Sequence, residues 1–176
     1  MEAVQLRPPV PPDGAVDAPY TTSDFVECYL MHYRRLVRAL RLGGADPATA
    51  EDLAQEAFAR ALARWRRVRK GANPPGYVYR TAFRLLQRAQ QKSGRQAASA
   101  PEPATPGADS AAAATVDFEA ALATMPPRRR ACAVMCMVVG MSVHEAGEAL
   151  GIADGTVRKH LEEARRDLRG SWASEG

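Results

Sequence analysis

Residues 50–65 read AEDLAQEAFARALARW, and this stretch decides how the rest of the chain is interpreted. Apolar side chains recur in it every three or four residues, the spacing that places them on one face of a helix. That apolar set is Leu53, Ala57, Phe58, Ala61, Leu62 and Trp65. The polar set Asp52, Gln55 and Glu56 falls on the opposite side of the same helix. We therefore predict an amphipathic helix with an acidic, exposed patch.

The charge reverses immediately after this patch. From Arg60 to Lys70 every charged residue is basic. One end of the unit therefore suits a basic protein surface, and the other suits a polyanion. A solvated helix face is the ordinary alternative for each end when it is considered alone.

Three helices are expected in this part of the chain, and the quoted stretch lies in the second. The first is capped by Ser23 or Asp24 and ends at the glycine pair 43–44. The second opens at Asp46 and Pro47 and continues to about Arg67. A loop of Gly, Asn and Pro residues then leads into a third helix from Pro75 to about Lys92. Short connections between three helices predict one compact bundle.

The third helix carries a ridge of basic side chains at four-residue intervals: Arg80, Arg84, Arg88 and Lys92. No acidic residue occurs between Gly76 and Arg95 to balance it. Charged ridges are usually solvated faces, but this imbalance favours contact with nucleic acid. Phe83 is expected in the core or an interface, whereas the pattern leaves Tyr77 open between core packing and base stacking.

A second domain follows a segment rich in Ala, Pro and Ser that predicts a flexible linker. A helix from Arg128 to Val139 precedes Ser142 and Glu145, which stand in the S-x-x-E spacing of a capping box. Gly151 then separates a short helix from a final basic helix that begins at Asp154. This order is typical of a helix-turn-helix. The predicted fold is all-α, with two small helical domains joined by a flexible linker.

Composition limits the class of protein. The chain of 176 residues has a formal net charge of +4 and a pI near 9.2, which fits a nucleic-acid partner. Three scattered cysteines and no transmembrane run predict a cytoplasmic protein without a membrane association. The i, i+4 pairs Cys28/His32 and Cys132/Cys136 have a spacing that could hold zinc, but they lie in different predicted domains. We predict no metal, no cofactor and no catalytic residue, and hence no enzyme.

The chain resembles an extracytoplasmic-function sigma factor, a small class within the sigma-70 family of bacterial RNA polymerase subunits. Sigma region two is similar to FVECYLMHYRRLVRALRLGG (25–44), AEDLAQEAFARALARWRRV (50–68) and PPGYVYRTAFRLL (74–86). Sigma region four is similar to FEAALATMPPRRRACAVM (118–135) and GMSVHEAGEALGIADGTVRKHLEEARRDLR (140–169). The order and separation of these motifs, more than any one of them, carry the resemblance.

The resemblance implies a site for each partner. Core polymerase is contacted through the clamp helices of the beta-prime subunit and the flap of the beta subunit. The core-binding residues it implies are Asp52, Gln55 and Glu56. Recognition and melting of the minus-ten promoter element fall to Arg69, Lys70, Asn73, Tyr77, Arg80, Arg84 and Arg88. Recognition of the minus-thirty-five element falls to Thr156, Arg158, Lys159, Glu162 and Arg165. An anti-sigma factor or an activator is a further partner of such proteins.

The expected domains are an N-terminal tail (1–22), region two (23–95), the linker (96–115), region four (116–171) and a C-terminal tail (172–176). The chain departs from the family pattern at Arg84 and near Gln87, and Glu162-Glu163 replaces a more basic stretch. These departures affect the promoter sequence that is read. The alternatives are a stand-alone helix-turn-helix regulator and a sigma-like adaptor that binds polymerase without opening promoters.

Overall fold

A computed structural model describes residues 19–96 and 112–173, and every regular element within these ranges is helical. The first four helices are α1 (Pro19–Leu42), α2 (Pro47–Leu62), α3 (Trp65–Val68) and α4 (Pro74–Gln96). The others are α5 (Ala112–Thr124), α6 (Pro127–Ala133), α7 (Val143–Leu150) and α8 (Asp154–Ala173). A π-helical turn, Val134–Val138, extends α6. The expectation of an all-α fold is confirmed.

The first bundle, α1 to α4, is held together by aromatic side chains at one end and by small residues along α2. The Phe25 ring lies 5.2 Å from the Trp65 ring, and the Tyr29 ring lies 4.9 Å from that of Phe58, both pairs edge-on. Such edge-to-face pairs stabilise a core beyond the area that they bury. The alanines of α2 are fully buried at positions 50, 54, 57 and 61. They let neighbouring helices approach α2 closely.

The second helix is shorter than its sequence pattern predicts. A continuous helix to about Arg67 is wrong, because α2 ends at Leu62 and Arg64 leaves the helical region at φ −123° and ψ 16°. The chain then restarts as α3, which buries Trp65. Leu62 is 53% exposed, so its assignment to the apolar face is also wrong. The break separates these two side chains, which an uninterrupted helix would place on one face.

Two predicted boundaries are also corrected. Helix α1 starts at Pro19 rather than at Ser23 or Asp24, and α5 starts at Ala112, inside the segment expected to be a linker. The first of these starts is at a proline, which the first turn of a helix tolerates because the N–H that proline lacks has no partner there. The proline-rich composition before Ser23 therefore did not mark the limit of α1. The remaining predictions for the two tails and the linker lie largely outside the described residues.

The helix-turn-helix in the second bundle confirms its sequence signals. The Ser142 hydroxyl accepts the Glu145 N–H at 3.1 Å, and the Glu145 carboxylate accepts the Ser142 N–H at 2.9 Å. Gly151 ends α7 at φ +64°, a conformation that favours glycine. The predicted inward residues of α8 are buried: Val157, Leu161, Ala164 and Leu168. The single helix expected from Arg128 to Val139 is instead α6 followed by the π-helical turn.

The two bundles pack against each other. Their buried side chains form one connected hydrophobic cluster, with α4 lying against α7 and α1 against α5 and the π-helical turn. Within the described ranges, no helix combines the length and apolarity needed to cross a bilayer.

Candidate polymerase and nucleic-acid surfaces

The acidic patch of α2 is exposed. Asp52, Gln55 and Glu56 all face solvent, and Glu56 accepts a hydrogen bond from Nε of Arg60 at 2.6 Å. Within the described chain, the side chains of Asp52 and Gln55 make no hydrogen bond or ion pair. The patch lies beyond the first turn of α2, whose N-cap is Asp46: its carboxylate accepts the Thr49 N–H at 3.0 Å. Hydrogen bonding by the Thr49 side chain, and then by its main-chain N–H, lowers the pKa of Asp46. The patch is therefore free to meet a basic partner.

A cavity of about 1010 Å³ lies on another face of the first bundle, around α3 and the loop that follows it. Its wall includes Arg66, Arg67, Asn73, Tyr77 and Arg80. Tyr77 is partly buried: it packs against the core and also lines the cavity. The cavity combines cations with aromatic surface, the two features that proteins use to hold a single nucleic-acid strand.

Of the predicted loop residues, Asn73 lines this cavity, whereas Arg69 and Lys70 lie outside its lining. Arg69 pairs with Asp24 of α1 at 3.3 Å, whereas the exposed Lys70 makes no hydrogen bond or ion pair in the described part of the chain. Asn73 caps α4, because its Oδ1 accepts the Gly76 N–H at 2.9 Å. The sequence signal for this cap, an Asn directly before two prolines, is visible in retrospect.

The ridge of α4 is divided between contact and solvent. A guanidinium nitrogen of Arg80 pairs with the Glu148 carboxylate of α7, and Nη2 of Arg84 donates to the Glu148 main-chain carbonyl at 2.6 Å. Gln87 Nε2 donates to the Leu150 carbonyl at 3.3 Å. Arg88 and Lys92 are exposed and make no ion pair among the residues described. The N-terminal half of the ridge, Arg80 and Arg84, therefore contacts the helix-turn-helix.

The same interface has a second polar anchor. Arg130 of α6 donates from Nε to the Leu42 carbonyl and from Nη2 to the Arg41 carbonyl at 3.4 Å. Both carbonyls are at the C-terminal end of α1, where helices leave such acceptors without an intrahelical partner. Burial lowers the pKa of Arg130. Arg38 and Glu119 add an exposed ion pair at 3.7 Å. None of these cross-bundle contacts follows from a local sequence pattern.

The exposed face of α8 carries every residue that the sequence placed there: Thr156, Arg158, Lys159, Glu162 and Arg165. Glu163 and Asp167 turn away from this face, since both meet Arg129 of α6. The exposed face of α8 is consequently more basic than the order of residues in its sequence suggests. No cluster of three or more potential metal ligands occurs within residues 19–96 and 112–173.

Comparison with known proteins matches both bundles to one family. The Sigma-70 region 2 model matches residues 26–96, and the Sigma-70, region 4 model matches residues 115–168. The ECF RNA polymerase sigma factor SigE of Mycolicibacterium smegmatis is 33% identical over 156 residues. That alignment covers 81% of this chain and 59% of the relative, so the chain spans somewhat more than half of SigE's length.

Solved structures share the fold. The sigma factor RpoE, in complex with the anti-sigma factor NepR from Bartonella quintana, superposes with a TM-score of 0.67 at 22% identity, covering 86% of this chain and 98% of that one. CnrH, in complex with the cytosolic domain of CnrY, gives a TM-score of 0.57 at 17% identity, with 88% and 91% covered.

The fold, the two matched regions and their order define a member of the sigma-70 family, and this chain belongs to it. Within that family, its sequence is similar to the ECF RNA polymerase sigma factor SigE. The family is regulatory rather than catalytic.

Proposed function

We propose that this chain binds core RNA polymerase in the cytoplasm, directs it to specific promoters and helps to open the DNA, without catalysing a reaction of its own. The observation that carries the proposal is a separation of charge on the first bundle. An exposed acidic patch lies on α2, and a cationic cavity lies around α3 and the following loop. A subunit that joins polymerase to DNA needs both surfaces at once.

The acidic patch is the proposed docking surface for the clamp helices of the beta-prime subunit. Asp52 and Gln55 are exposed and engaged by no neighbour within the described chain, so a partner can reach them without first breaking an ion pair. Glu56 has to exchange its bond to Arg60, but exposed i, i+4 pairs of this kind are weak, about 0.3–0.5 kcal/mol. Region four would meet the flap of the beta subunit.

The cationic cavity is the proposed minus-ten site. Separating two DNA strands costs stacking energy, which a protein recovers by holding an extruded base and tracking the backbone. Arg69, Lys70 and Asn73 border the loop, Tyr77 offers a ring within the cavity, and Arg80, Arg84 and Arg88 continue as the ridge. The exposed face of α8 would read the minus-thirty-five element in the major groove.

In the arrangement described here, α7 covers part of the proposed minus-ten surface. Glu148 engages Arg80 and Arg84, while Glu145 accepts a hydrogen bond from Asn73 at 2.9 Å. DNA phosphates and these acidic groups compete for the same donors. Promoter binding therefore requires region four to leave this face, and core polymerase, an activator or release from an anti-sigma factor would favour that separation.

The proposal is tested by transcription with purified core polymerase, with and without the full-length protein, on templates selected from a randomised promoter library. We expect initiation at defined start sites only when both components are present. A stand-alone helix-turn-helix regulator would give no initiation with core enzyme alone. A polymerase-binding adaptor would be retained on core enzyme without forming open complexes, and either result would overturn the proposal.

A further inference from the structure

A polar clamp joins α6 to the back of the recognition helix α8. Arg129 donates from Nη1 to Asp167 at 2.7 Å and from Nη2 to Glu163 at 2.9 Å. Asp167 and Glu163 lie one helical turn apart on α8, and the side chains of all three residues are only partly exposed. The bond to Asp167 is the chief reason that the pKa of Arg129 is raised. The guanidinium is thus held by two carboxylates at once.

The clamp restricts the orientation of α8 relative to α6 as well as the distance between the two helices. Two parallel donors on a planar guanidinium define a direction as well as a contact, unlike a lysine ammonium, which acts as a point charge. Because the two acceptors are stacked along α8, the fork resists both sliding of that helix along its axis and rotation about it. His160, one turn before Glu163, has its Nδ1 3.7 Å from the same carboxylate.

Rotation of α8 is the motion that base reading tolerates least. Arg158 and Glu162 are exposed on the side of α8 away from the clamp, whereas Lys159, one turn before Glu163, is exposed beside it. Consecutive helical residues are about 100° apart around the axis, so even a modest rotation would turn a side chain from a base edge toward the phosphates. Phosphate contacts survive such a change because they carry no sequence information.

We propose that Arg129 is a positioning residue for promoter recognition: by bridging Glu163 and Asp167, it sets the rotational register in which α8 reads the minus-thirty-five element. This inference rests on the proposed sigma function. Arg129 itself lies on α6 and is not offered as a DNA contact.

The test measures sequence discrimination rather than activity alone. Full-length wild type and Arg129→Met are each combined with core polymerase on two templates that share one minus-ten element. One template carries the selected upstream element and the other a scrambled upstream element. We expect Arg129→Met to reduce the ratio of transcription between them by about fivefold or more, which is the cost of about one mismatched base pair. Transcription from the scrambled template should stay close to that of wild type.

Two companion variants keep the outcome decisive. Arg129→Lys keeps the charge but cannot bridge both carboxylates, so its ratio should fall between those of wild type and Arg129→Met even if the latter folds poorly. Arg128→Met, at an exposed neighbouring arginine with no ion pair in the described chain, should keep the wild-type ratio. An unchanged ratio in folded Arg129→Lys, or an equal loss on both templates, would overturn the positioning role. An inactive wild type would instead refute the sigma function itself.

Discussion

Asn73, the N-cap of α4, donates through Nδ2 to Oε1 of Glu145, the capping-box glutamate of α7, at 2.9 Å. One hydrogen bond thus joins the beginnings of two helices that belong to different sigma regions. It lies at the edge of the proposed minus-ten cavity, whose wall includes both residues. The contact occupies the side-chain donor of Asn73, which the proposed binding of promoter DNA would need.

Removing the acid that engages the ridge should make the free protein bind single-stranded promoter DNA more tightly. Glu148→Gln breaks the ion pair with Arg80 but leaves the Arg84 bond to the main-chain carbonyl in place. Because both side chains of this ion pair are partly exposed, we expect a modest gain in affinity of up to about fivefold. Fluorescence anisotropy with a labelled minus-ten oligonucleotide measures it.

The control for that experiment is Glu51→Gln, at an exposed position of α2 that has no ion pair in the described chain. It changes net charge by the same amount without touching the interface. Equal affinities of Glu148→Gln and Glu51→Gln would mean that α7 does not compete with DNA.

Close packing at the turn of the helix-turn-helix should make one glycine hard to replace. A Cβ at Gly147 would lie 2.8 Å from the Ile152 carbonyl oxygen, a main-chain atom that cannot move aside easily. We expect Gly147→Ala to lower the free energy of unfolding by about 1–3 kcal/mol. Gly155→Ala meets open space and should be neutral or stabilise by about 0.5 kcal/mol. Equal unfolding curves for the two variants, by chemical denaturation, would refute this packing argument.

The capping box should make stability depend on pH through Glu145. Hydrogen bonds from Ser142, and then the bond from Asn73, lower the pKa of this carboxyl group. A carboxyl group with a lowered folded-state pKa contributes its full stabilisation above the ordinary glutamate range and loses it as pH falls through the lowered value. The melting temperature of wild type should therefore exceed that of Glu145→Gln at neutral pH, and the gap should close in acid.

Thermal unfolding of both proteins across this pH range measures the gap, because glutamine keeps the shape of the side chain while it removes the charge and replaces one acceptor oxygen with an NH2 donor. A gap that stayed constant, or widened toward acid, would contradict the role given to the carboxylate.

Local patterns predicted local structure well. The Ser142/Glu145 capping box, the turn at Gly151 and the buried face of α8 each depend on residues a few positions apart, and each is present. The stop of α2 at Leu62 was missed because its periodicity continues through the break. The expectation for α8 was right about which face is exposed, but no pattern indicated that Glu163 meets an arginine on another helix.

Contacts between the bundles could not be predicted for a different reason. Arg130 bonds to main-chain carbonyls of α1, and any sequence would present carbonyls there. Arg84 likewise meets a main-chain oxygen of α7 rather than a complementary side chain. Such contacts depend on how two bundles dock, which neither charge pattern nor helical periodicity specifies. The proposed roles of Asp52, Gln55 and Glu56 come from family resemblance and stay predictions.

The most direct test of the central claim is binding of core RNA polymerase by the full-length protein and by a double charge reversal, Asp52→Lys with Glu56→Lys. Glu51→Lys serves as the matched control on the same helix. We expect wild type and Glu51→Lys to be retained on core polymerase, and the double variant to be lost while its helical circular dichroism is unchanged. Retention of the folded double variant equal to that of wild type would contradict the docking surface. Failure of folded wild type to bind core polymerase would contradict the account as a whole.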